Sequence, residues 1–139
     1  MTSRLALLLL LTGTLAACGG DKDKGETGAA GQPCSTAPAA LTSDPKLGPG
    51  FPSPSDVTYT EDKRAGPSHI VEGYWDGDIQ AAYDGYKSSF DGSDYSITKD
   101  EKENVDAEVN FSGHGLSGQV KLLQLCKDRT DVTITTRPS

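Results

Sequence analysis

Between Val105 and Phe111 the chain alternates without a break: Val105, Ala107, Val109 and Phe111 are apolar, and Asp106, Glu108 and Asn110 are polar. A side-chain period of two sends each set to its own face. The segment therefore predicts a half-buried strand, with one face on a core and the other toward water. Such strands belong to antiparallel sheets, and the rest of the chain after Asp56 is built to match. Val57-Thr58-Tyr59-Thr60 alternates, and Gly66-Pro67 marks a turn before the β-branched and aromatic run Ile70 to Trp75. Tyr95 to Thr98 predicts a short strand. The loop Gly113–Gly118 predicts a hairpin into Gln119–Cys126, and Val132 and Ile134 alternate with Thr133 and Thr135 at the end.

One segment breaks this period. Ile79, Ala82, Tyr83, Tyr86 and Phe90 recur at the spacing of one helix face, with Asp78 placed as N-cap and Gly92 as the stop. Gly85 inside this helix costs about 1 kcal/mol relative to alanine, so packing has to hold the helix together. The order ββαββββ predicts an α+β domain over residues 56–139. It is a mostly antiparallel sheet of five to six strands with one helix across one face.

Residues 18–55 differ in kind. From Gly19 to Ser55 the chain holds seven glycines and six prolines, and its bulky apolar side chains are Leu41, Leu47 and Phe51. That little apolar surface does not offset the entropy of ordering, which predicts a flexible tether. The run Asp21-Lys22-Asp23-Lys24 is charge-balanced and reads as solvated.

Residues 1–17 read as a targeting segment. Arg4 precedes an apolar stretch from Leu5 to Ala17, about 13 residues against the roughly 20 of a spanning helix. The stretch ends in Leu15-Ala16-Ala17-Cys18. This resembles the lipobox of bacterial lipoprotein precursors. The resemblance implies cleavage before Cys18, a diacylglyceryl thioether on its sulfur, and membrane attachment through that lipid anchor. Two acyl chains hold stably where one binds reversibly. An ordinary signal peptide, or a short buried helix ending in cysteine, is the alternative. Gly19 rather than aspartate after Cys18 implies, by analogy, the outer membrane in a diderm cell. In a monoderm cell the protein would sit on the outer face of the cytoplasmic membrane. Phe51-Pro52-Ser53-Pro54, together with Tyr83, Tyr86, Phe90 and Asp94-Tyr95, is also similar to small envelope lipoproteins of unknown function from high-GC bacteria.

With Cys18 assigned to lipid, Cys34 and Cys126 remain as an even pair in an exported chain, which predicts a disulfide. It would close a loop of about 92 residues, worth about 4–5 kcal/mol in a chain-entropy model. Two free thiols are the alternative.

A net charge of −7, from 13 basic and 20 acidic residues, argues against nucleic acid and anionic surfaces as partners. Two histidines and three scattered cysteines offer no metal-ligand spacing, and no cofactor is expected. His114 lies near Ser112 and Ser117, but no G-x-S-x-G elbow accompanies it, so a glycine-rich hairpin loop is the simpler reading. His69 opens a strand and reads as half-exposed. Asp76-Gly77-Asp78 and Asp91-Gly92-Ser93-Asp94 lack the spacing of an EF-hand and sit where helix caps belong. Trp75, beside Tyr74, reads as core in preference to a ligand platform.

Two strands conflict with a one-faced sheet. Ile70 and Tyr74 oppose Val71 and Trp75, and Leu123 and Leu125 oppose Val120 and Leu122. One apolar set from each falls on the face away from the helix, unless a bulge near Leu122 resets the alternation. The expectation is partial cover of that face by Leu47 and Phe51, leaving a patch around Leu123 and Leu125 as partner surface. The functional expectation is a non-enzymatic, lipid-anchored envelope module that binds another envelope protein or a small ligand. An envelope hydrolase of unrecognised type and a passive spacer are the alternatives.

Overall fold

The computed structural model describes residues 30–139. The targeting segment, Cys18 and the first part of the tether lie outside the described residues. The chain forms β1 (Val57–Ala65), β2 (Ser68–Asp76), α1 (Ile79–Asp91), β3 (Ser96–Lys102), β4 (Asp106–Gly113), β5 (Leu116–Cys126) and β6 (Arg129–Pro138). This is the α+β order read from the sequence, with six strands in one sheet ordered β1-β2-β6-β5-β4-β3. Every neighbouring pair is antiparallel.

The helix length suits this topology. Strand β3 lies four strands away from β2, about 19 Å at the usual spacing of about 4.8 Å. Thirteen helical residues span about 20 Å, so α1 carries the chain across the sheet in one pass. The meander β3 to β6 then returns to close against β2. Asp78 caps α1 by accepting from the Ala81 N–H at 2.8 Å, and Ile79, Ala82, Tyr86 and Phe90 are buried. They pack on Val71, Trp75, Val109, Phe111, Val120, Leu122, Val132 and Ile134. Trp75 is core, as read. A Cβ on Gly85 would lie 2.4 Å from the Trp75 ring, so the helix glycine makes room for the indole.

The connection between β4 and β5 is shorter than expected. The strands meet at His114-Gly115, both with positive φ (52° and 72°), as a two-residue turn of the mirror-image type that matches strand twist. Gly118 is strand, not loop. The Phe111 ring lies over it, 2.5 Å from where a Cβ would be, so its missing side chain is supplied by the neighbouring strand.

The tether expectation needs correction over its second half. Leu47 is 3% exposed, and Leu41 and Phe51 pack against the core. Phe51 sits edge-on to Phe90, Tyr95 and Phe111, with centroids 5.4–5.9 Å apart. The Leu41 N–H donates to the Tyr59 carbonyl at 2.7 Å, and the Tyr95 hydroxyl donates to the Pro49 carbonyl at 3.1 Å. Three apolar side chains suffice here because the core already exists and the segment is fixed at both ends, by β1 and by a disulfide. Its cover also falls on the other side: Leu47 and Phe51 fill the helix face, not the face expected.

Candidate functional site

Registry sets the uncovered face of the sheet. Strands β2, β6, β5 and β4 bury alternate residues against the helix and turn the others outward. Thr58, Asp106, Glu108, Thr133 and Thr135 are on the outer side, as are Ile70, Tyr74 and Leu123. No bulge lies near Leu122. Register shifts instead between Gln124 and Cys126, so Leu125 keeps the outward side of Leu123 but is left without a cross-strand partner, while Cys126 pairs with Arg129. Leu125 is 42% exposed, the one large apolar side chain so exposed among the described residues.

The bulge is held from inside. Gln124, 8% exposed, accepts from the Ile79 N–H at 2.6 Å and donates to the Cys126 carbonyl at 2.5 Å. Sequence reasoning did not assign Gln124. The available signal was a polar residue at a core-facing position of an otherwise apolar set.

Cys34 and Cys126 are joined in a disulfide with Cα atoms 5.2 Å apart. It brings residues 32–39 onto the outer face. The Lys127 N–H donates to the Gln32 carbonyl at 2.9 Å, and the Arg129 guanidinium donates to the Ser35 carbonyl at 2.8 Å. That guanidinium also lies 5.1 Å from the Tyr74 ring centroid. Between this strap and the sheet runs a groove of about 490 Å³, bounded by Thr36, Pro38 and Ala39 on one side and by Tyr74, Leu125 and Arg129 on the other. Its volume is in the range of ligand sites.

Three carboxylates line the groove: Glu61, Glu72 and Asp131. Lys63 pairs with Glu72 at 2.5 Å and Glu61 at 3.4 Å. Burial raises the Asp131 carboxyl above its usual range, and the nearby Glu72 charge adds to the shift. The groove thus combines apolar contact at Leu125 and Tyr74 with acceptors on its far wall. Leu123 lies two residues earlier in β5, between Asp106 and Asp131, half-buried and outside the groove.

The histidines are placed differently. His114, at its turn, stacks on Tyr95 with centroids 5.1 Å apart, and its Nε2 is 3.8 Å from Asp94. Its contacts are with Tyr95 and Asp94, not with Ser112 or Ser117, which pair across β4 and β5. His69 is buried, not half-exposed, at 5%, with Nε2 2.6 Å from Asp62. Of the acidic residues at the ends of α1, Asp78 is its N-cap, and Asp94 faces His114. Among the described residues no group of three or more His, Cys, Asp or Glu is placed to hold a metal ion. No helix there is long and apolar enough to cross a membrane.

Compared with known proteins, the chain matches no family model, no curated protein and no solved structure.

Proposed function

We infer that the chain is a lipid-anchored, extracytoplasmic protein of the cell envelope, and that its domain is a non-enzymatic binding module. The groove beside Leu125 is its contact surface for another envelope component that presents an apolar group. The observation that carries this reading is the Cys34–Cys126 bridge. It fits an oxidising compartment, leaves Cys18 as the cysteine outside the bridge, and frames the exposed Leu125 with an ordered strap. The lipobox-like Leu15-Ala16-Ala17-Cys18 supports the anchor. The separation of His114 from both serines supports binding over hydrolysis.

Two experiments test the two halves. Metabolic labelling with a fatty-acid analogue is expected to mark the wild type and not Cys18→Ala; a labelled Cys18→Ala protein overturns the anchor. For the surface, Leu123→Glu/Leu125→Glu is expected to abolish crosslinking to the partner in intact cells while circular dichroism stays unchanged. Unchanged crosslinking, or an unfolded variant, overturns the contact site.

A further inference from the structure

We propose that a second cleft, at the end of the sheet remote from the disulfide, is an anion site for a phosphate-bearing ligand. The segment Lys46–Pro49 crosses the ends of β1, β2, β5 and β6 there and encloses about 290 Å³. Lys46, Arg64 and Arg137 line it, and none of the three makes an ion pair among the described residues. The lining contains no carboxylate. In a chain with 20 acidic and 13 basic residues, three unpaired cations around one small space are not the average surface. Their mutual repulsion is relieved by an anion between them, and low-dielectric walls focus the field on it.

The cleft is preformed. Its floor is the cross-strand pair His69 and Thr136, 5% and 3% exposed, with the imidazole fixed by Asp62 behind it. Its wall cannot retreat into the domain. Leu47 is buried, and a Cβ on Gly48 would meet Leu116 and the Tyr95 hydroxyl at 2.7 Å, so this stretch is packed down tightly. A rigid cleft loses little on ordering when a ligand enters. Two guanidinium groups favour an anion that offers pairs of oxygens to their forked N–H donors, and a phosphate offers several such pairs with enough charge to answer three cations. The volume admits a phosphate with a few attached atoms, or the end group of a larger phosphate polymer.

Position narrows the source. The chain reaches the domain at Cys34, against Cys126. From Arg129 to Thr136 strand β6 runs about 23 Å to the opposite end. With an anchor at Cys18, a point that rests on the proposed function, the cleft lies at the end of the domain remote from where the anchored chain enters it. That favours a free or polymeric phosphate over the headgroups of that bilayer.

The test is a titration of the full chain, disulfide intact, with inorganic phosphate and then tripolyphosphate, read by amide NMR shifts. Saturable shifts are expected at Gly48, His69 and Thr136. Arg64→Ala/Arg137→Ala, both on exposed side chains, is expected to weaken binding at least tenfold, whereas Leu125→Glu leaves it unchanged. Shifts linear in concentration, shifts spread equally over Lys102, Lys121 and Lys127, equal saturation by acetate, or no effect of the double variant each overturn the proposal. Sedimentation with phosphatidylglycerol or phosphatidylcholine vesicles separates the sources. Binding to soluble phosphate without arginine-dependent vesicle binding supports the free ligand. Phosphatidylglycerol binding lost in the double variant overturns that source in favour of a headgroup.

Discussion

The side-chain oxygen of Gln124 accepts a hydrogen bond from the backbone N–H of Ile79, 2.6 Å away and 45 residues earlier in the chain. One amide thereby satisfies the first turn of α1 and, through its nitrogen, the carbonyl of Cys126. The start of the helix, the bulge at Leu125 and the cysteine of the bridge are tied to one buried side chain. An unpaired donor or acceptor at this depth costs about 1–3 kcal/mol. Gln124→Leu is therefore expected to lower stability by about 2–3 kcal/mol in urea denaturation. A variant as stable as wild type contradicts that role.

Gly85→Ala reverses a familiar sign. In an exposed helix it would add about 1 kcal/mol. Here the new methyl meets the Trp75 ring at 2.4 Å, and overpacking of this kind costs about 1–3 kcal/mol. The expected outcome is a lower urea midpoint, with altered tryptophan fluorescence as the indole shifts. A higher midpoint would show that Trp75 gives way freely.

Tyr86 is fully buried, and its hydroxyl lies beside that of Tyr59 without a well-aligned hydrogen bond; the Tyr59 hydroxyl is bonded to Ser53 at 2.6 Å. Burial also holds the Tyr86 phenol well above its ordinary range. Removing an unsatisfied oxygen of this kind relieves its desolvation. Tyr86→Phe is expected to be neutral or to stabilise by about 1 kcal/mol in thermal denaturation. A loss larger than about 1 kcal/mol would reveal a bond made in solution.

Asp131 sets a pH dependence. Its carboxyl is raised in the folded protein by burial first and Glu72 second, so the folded state binds the proton more readily than the unfolded chain. The charged form therefore costs stability above the raised folded value, and that cost is absent below the ordinary carboxylate range. Asp131→Asn is expected to raise the urea midpoint at pH 7 and to leave it nearly unchanged at pH 3. A benefit of equal size at both pH values would assign it to packing.

Reducing the bridge removes up to about 4–5 kcal/mol in the chain-entropy model, for a loop of 92 residues. Cys34→Ser/Cys126→Ser is expected to lose part of that. It should also free residues 35–39 for proteolysis while the sheet amides stay protected in hydrogen exchange. Strap amides as protected as in wild type would mean that the Ser35 and Gln32 contacts hold the segment without the bridge.

Much of the architecture was legible because it follows from local periods. Alternation at Val105–Phe111 and the helical spacing from Ile79 to Phe90 each have one comfortable solution, and the element order followed from them. The outward placement of Leu123 and Leu125 was legible too, since two adjacent apolar sets on one strand cannot share a face. His69 was misread because its burial depends on Asp62 in the neighbouring strand and on the segment Lys46–Pro49 above it. Neither neighbour is visible from local pattern. Gln124 escaped notice for the same reason: its worth lies in a helix end 45 residues away.

The sequence by itself determined the element order and the alternating faces of the strands, because each depends on spacing, and it left Cys34 and Cys126 as an even pair once Cys18 is assigned to lipid. Tertiary structure alone decided where Leu47 and Phe51 went. Composition described their segment as unable to order itself, and that holds in isolation. Once both ends are fixed, by the Cys34–Cys126 bridge and by β1, the entropy left to lose is small. The ring of Phe51 then finds Phe90, Tyr95 and Phe111 already in place. The same fixing laid the strap on the outer face and gathered Lys46, Arg64 and Arg137 at one end. Both clefts are therefore products of long-range closure, which no local pattern encodes.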